Sequence, residues 1–123
     1  MQNLSENEPV RRKIKPEQGQ QAVALVRGGD QTQLATAVRY LLEELATRAE
    51  GNTVEVRVPP FGAVQCIEGP RHTRGTPPNV IEMSPETWFD LATGAIDWDA
   101  ALASGAIHAS GIRAEIKDHL PLL

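Results

Sequence analysis

The hydrophobic period of this chain switches from 3.6 residues to two at Gly51-Asn52, and back to 3.6 at Ser84. Before the first switch, Leu34, Ala37, Val38, Leu41, Leu42 and Leu45 recur at steps of three and four and form one apolar stripe, with Arg39, Glu43, Glu44 and Arg48 on the solvated side. Asp30 with Gln33 reads as a capping box that opens this helix, and Gly51-Asn52 as its stop. One wide apolar face needs a sheet to lie on, and the strands follow. Thr53 to Val58 alternates, with Val54, Val56 and Val58 inward and Glu55 and Arg57 outward. Pro59-Pro60-Phe61-Gly62 must turn, because neither proline can donate to a ladder. Ala63 to Ile67 then returns as the antiparallel partner of a four-residue hairpin loop, and Asn79 to Met83 is a third strand.

The second switch carries clear helix punctuation. Ser84 caps, Pro85 takes the first turn, Glu86 meets the positive end of the dipole and Gly94 closes the helix, with Trp88, Leu91 and Ala92 on its buried face and Phe89 flanking. Asp97 caps a short helix through Ala103 that Gly105 stops, and Ala106 to Ser110 is a last strand. The tail from Ile112 fits both a period of two and a period of four; Lys117, Asp118 and His119 before Pro121 favour a short helix. At the other end, Pro16 opens a first helix over Ala22, Val23, Leu25 and Val26 that Gly28-Gly29 ends and Gly19 weakens. Residues 1–15 read as a polar arm with a small basic cluster, and 16–123 as a single domain. This order of elements is α+β: a mostly antiparallel sheet with helices packed on one side.

Charge and composition exclude several function classes. Twelve basic against sixteen acidic side chains leave a formal charge of −4, and aromatics make up 4%. A nucleic-acid surface needs a basic stripe and stacking platforms, which such a chain does not offer. The lone Cys66 rules out an internal disulfide and a cysteine-rich zinc site. No apolar run is long enough to cross a membrane, and the first fifteen residues lack the apolar centre of a secretory signal, so a cytoplasmic location is expected.

The reactive side chains do not assemble into a reaction centre on paper. His72, His108 and His119 share no metal-ligand spacing, and no pair of carboxylates looks like an acid/base dyad. Cys66 sits inside a strand, where a small buried residue is the plainer reading than a nucleophile. The segment Gly69 to Pro78 is stiff at its prolines and rich in donors: Arg71, His72 and Arg74 beside Gly75 could cradle a carboxylate, phosphate or sulfate, or the arginines could pair with Glu68, Glu82 or a helix C-terminus. Trp88, Phe89 and Trp98 fall close together in an aromatic-poor chain and could be ordinary core or the wall of an apolar cavity.

The strings VEVRVPP (54–60), AVQCIEGPRHTRGTPPNVIE (63–82), SPETWFDLATG (84–94), the Trp98 segment and the closing IHASGIRAEI together resemble the bacterial branch of the sterol carrier protein family. The resemblance implies a sheet of about five strands covered by helices, with an apolar tunnel between the two layers. It also implies carriage of a lipid or other apolar small molecule without catalysis, cofactor or metal. Leu34, Leu41, Leu45, Val56, Met83, Trp88, Leu91, Trp98 and Ile107 would line the pocket, and Arg71, His72 and Arg74 would hold a polar head group. Similar domains form the C-terminal part of mycothiol-dependent maleylpyruvate isomerases, whose metal chemistry belongs to a separate helical domain; this chain is too short to include one. Family lipid binders have a more apolar C-terminal helix than a tail bearing Arg113, Glu115, Lys117 and Asp118. The competing expectation is therefore an accessory interaction domain with a filled core and no ligand, which leaves a homo-oligomer or a protein partner open.

Overall fold

The computed structural model describes residues 12–69 and 79–123. Helix α1 (Pro16–Arg27) packs against α2 (Leu34–Arg48). Strands β1 (Val54–Val58) and β2 (Gly62–Cys66) form the hairpin, and β3 (Asn79–Met83) follows. Helices α3 (Pro85–Thr93) and α4 (Trp98–Ala103) lead to β4 (Ile107–Ser110).

The four strands lie in the order β2-β1-β3-β4. Two of the three pairings are antiparallel, but β1 and β3 run parallel, with Val54 opposite Asn79 and Val56 opposite Ile81. The sheet among the described residues is thus mixed and one strand smaller than expected. The hairpin explains the direction: β2 ends beside the start of β1, so a chain that reaches the free side of β1 from there runs the same way. The hairpin loop is also a residue shorter than expected, because Val58 pairs with Gly62. Strand β2 stops at Cys66 because Ile67 adopts a left-handed φ of 69°, donates its N–H to the Ala49 carbonyl and accepts from Thr53 N.

Register sorts the side chains. Val54, Val56, Val58, Cys66, Ile81, Met83 and Ile107 turn toward the helices, while Glu55, Arg57, Gln65, Glu82 and His108 lie on the far face. Helix α2 rests on β2 and against α3. It begins at Leu34, later than the capping box implied, because Asp30 caps the backbone N–H of Thr32 and starts a 3₁₀ turn over Gln31–Gln33. Ser84 and Asp97 cap α3 and α4 through Thr87 N and Ala100 N, and Gly94 closes α3 at a left-handed φ of 84°.

The expectation about the C-terminal end needs correction. The tail is not a helix: only Lys117–His119 makes a 3₁₀ turn, and burial follows a period of two, with Ala114 and Ile116 in and Arg113, Glu115 and Lys117 out. Leu122 N donates to the Ala92 carbonyl, and Arg48 donates to the carbonyl of Leu122, which stitches the extended tail between α2 and α3. Of the expected arm, residues 1–11 lie outside the described residues. Lys13 N and Ile14 N both donate to the Glu43 carboxylate, and the Arg12 guanidinium pairs with Glu44, so this part is strapped across α2. Glu43 and Glu44 are therefore anchors, not a purely solvated face.

Gly19, a weak helix former, has a packing role. The ring of Tyr40 lies flat on the α1 backbone there, and a Cβ at residue 19 would sit 2.2 Å from its ring carbons. That close approach lets α1 seat directly on α2.

Candidate functional site

Nine of the expected pocket residues come together. Leu34, Leu41, Leu45, Val56, Met83, Trp88, Leu91, Trp98 and Ile107 all belong to one buried cluster between helices and sheet. Arg71, His72 and Arg74 lie outside the described residues, so the head-group half of the expected site has no geometry to report.

Exposure within the cluster is informative. Leu41, Leu45, Val56 and Trp88 each have 0% of their surface accessible, and so do their neighbours Val38, Val58, Ile81 and Ala92. A side chain with no accessible surface borders no space that would admit a water molecule. The Trp88 indole N–H donates to the Val38 carbonyl at 3.3 Å, which fixes the ring against α2. Around these residues the layer is filled by the chain's own side chains.

Several concave surfaces open at the margins of that layer, and Leu34, Leu91, Trp98 and Ile107, four of the nine, each line one of them. A groove of about 440 Å³ runs between the end of α1, the 3₁₀ turn and α3, with Val26, Leu34 and Phe89 on its floor and Arg27, Glu86 and Asp90 on its rim. A second, of about 340 Å³, lies between α3, α4 and the tail and includes Leu91 and Trp98. A third follows the outer strand β4, at about 520 Å³. The 440 Å³ groove has the size of a small-ligand site. Of its floor, Leu34 was expected from the stripe and Phe89 as a candidate cavity wall; Val26 was not, because adjacency of α1 and α3 is a tertiary fact without a local signal.

The titratable groups behave as structural parts. Cys66 is fully buried, and burial pushes its thiol up to about 12, so the thiolate needed for nucleophilic chemistry is suppressed at neutral pH. Asn79, 2% exposed, donates to the Thr53 carbonyl and accepts from Arg113 N, which ties β1, β3 and the tail together. Glu44 bridges Arg12 and Arg48. Burial is the largest single influence on Glu44 and raises its pKa, but the hydrogen bonds and charges of the two arginines together outweigh it and leave the carboxyl lowered. Among the described residues no group of His, Cys, Asp and Glu could hold a metal ion, and no helix is long and apolar enough to cross a membrane.

A helix-covered mixed sheet with a buried apolar layer between helices and sheet places this chain among the two-layer α+β domains. More narrowly, it belongs to the bacterial branch of the sterol carrier protein family: the family described as bacterial SCP orthologs matches residues 30–122, from the turn before α2 to the end of the tail. No curated protein matches the chain.

Proposed function

We propose that this chain is a non-catalytic accessory domain whose outer surface, not its interior, engages a partner. The observation that carries this reading is the absence of any accessible surface on Leu41, Leu45, Val56 and Trp88, the side chains that a tunnel between α2 and the sheet would have to expose. An enclosed acyl chain would need these residues to part, at the cost of contacts the closed layer makes throughout. The suppressed thiol of Cys66 supports a role without nucleophilic catalysis. The experiment is to purify the protein, extract it with organic solvent, analyse the extract by mass spectrometry, and titrate the extracted protein with oleate while following tryptophan emission. No stoichiometric lipid and no change at Trp88 or Trp98 are expected. A copurified lipid near one per chain would overturn the reading.

A second reading, carriage of an apolar chain, is favoured by the family and by the groove over Val26, Leu34 and Phe89. Phe89 is next to Trp88 in sequence, so the same titration detects it. A saturable emission change that Phe89→Ala abolishes would establish the groove as a lipid site.

A further inference from the structure

The strap and the tail meet on one side chain. Glu44, with 12% of its side chain exposed, uses both carboxylate oxygens: Oε1 accepts from the Arg12 guanidinium, and Oε2 from Arg48 Nε at 2.7 Å. Arg48 is committed a second time, since its Nη1 donates to the Leu122 carbonyl at 2.8 Å. Leu122 N in turn donates to the Ala92 carbonyl at 2.8 Å. A continuous line of polar contacts therefore runs from the strap, through Glu44 and Arg48, to the tail and α3.

The two ends are not held equally. The tail buries Ile116 and Leu122 in the apolar cluster, and its Leu120 and Pro121 wall the groove of about 340 Å³ beside Leu91 and Trp98. The strap contributes a partly buried Ile14 and otherwise rests on polar contacts: Lys13 N and Ile14 N on Glu43, and Arg12 on Glu44 and over the Tyr40 ring. One buried donor of Arg12, Nη1, has no hydrogen-bond partner among the described residues, a cost that weakens this end. The strap also lies ahead of the family match over residues 30–122, which includes Glu44, Arg48 and Leu122.

We infer that Glu44 is a shared latch coupling the two ends: lifting the strap frees Glu44, which unlocks Arg48 and loosens the tail, and with it one wall of that groove. The physical reason is preorganisation. Arg48 has 46% of its side chain exposed, and a free arginine has many rotamers to lose. Glu44 holds its Nε while Nη1 faces the Leu122 carbonyl, and Glu44 is itself fixed by Arg12. An isolated exposed pair would hold little. Two guanidinium groups sharing one carboxylate form a network, and members of a network respond together. Such coupling is mutual, so loosening the tail must also loosen the strap. The latch is independent of whether the interior or the groove takes a ligand.

The test is amide hydrogen exchange on the full chain, followed residue by residue by NMR. Ile14 reports the strap, Leu122 the tail, and Val56, in the middle of the sheet, global opening. Arg12→Ala is expected to speed exchange at Leu122, relative to Val56, by about twofold or more, and Arg48→Ala to speed it at Ile14. With Glu44→Ala already in place, adding Arg12→Ala should leave Leu122 where Glu44→Ala alone put it. None of the three side chains belongs to the apolar cluster, so these changes leave the core intact. A Leu122 rate that Arg12→Ala leaves at the wild-type value relative to Val56 would overturn the inference, since the strap would then be a separate tether. So would a response at Leu122 that persists without Glu44, since the effect would then travel by another route.

Discussion

Replacing Val56 by Leu adds one methylene at the centre of the sheet, and the sign of its effect distinguishes a filled layer from a hollow one. Val56 is 0% exposed, sits on β1 between Val64 and Ile81, and points at the helices. If a tunnel ran beside it, the extra carbon would bury apolar surface at little cost and stabilise the fold by up to about 0.8 kcal/mol. In a layer without room, the longer side chain forces neighbours off their rotamers, at about 1–3 kcal/mol. The reverse change, Leu41→Ala, gives a second bound. It removes three carbons from a fully buried position. Transfer alone is worth about 2.4 kcal/mol at ~0.8 kcal/mol per methylene, and the residual cavity brings the expected loss to about 2–5 kcal/mol. Urea unfolding measures both, with the slope of the transition checked against wild type so that a midpoint shift reports stability. A neutral or stabilised Val56→Leu together with a Leu41→Ala loss below ~1 kcal/mol would refute the packing argument.

Three further outcomes follow from local geometry. Gly19→Ala, which on propensity alone would gain about 1 kcal/mol, drives a Cβ into the buried Tyr40 ring and is expected to destabilise by about 1–3 kcal/mol in the same urea assay. Glu44 has a folded-state pKa below its unfolded value, so its contribution is present above the unfolded pKa and is lost as pH falls through the folded one; Glu44→Gln should flatten the acid limb of a stability–pH curve. Cys66 keeps its proton in the folded state to about pH 12, against an ordinary value of 9.0, so the unfolded chain ionises first and stability contributed by this group falls as pH rises through that window; Cys66→Ala should remove that part of the alkaline slope, and at neutral pH the wild-type thiol should react with Ellman's reagent only on unfolding.

The parts of the fold legible in the sequence were those fixed locally. Ser84-Pro85 and Asp97 place helix starts, Gly94 places a stop, and the alternation Val54-Glu55-Val56-Arg57-Val58 sorts the faces of β1, because caps and pleats depend on neighbouring residues. Direction and pairing depend on distant ones. That β3 lies parallel to β1 comes from where the hairpin leaves the chain, and nothing within Asn79–Met83 encodes it. The tail misled because Ile112, Ile116 and Leu120 happen to repeat every four residues. What fixes its extended course is its anchoring to Ala92 and Arg48, far away in the chain. The apolar members of the candidate site were legible as a cluster. A buried stripe looks the same in sequence whether it lines a tunnel or fills one, since the difference lies in distances across the layer. The strap of Lys13 and Ile14 on Glu43 likewise rests on backbone donors that no side-chain pattern announces.

The most direct measurement is a crystal structure of the protein as purified, with the density between α2 and the sheet inspected around Leu41, Val56 and Trp88. Density accounted for by side chains alone is the predicted result. Elongated density between these residues, with the layers parted to admit it, would contradict the account.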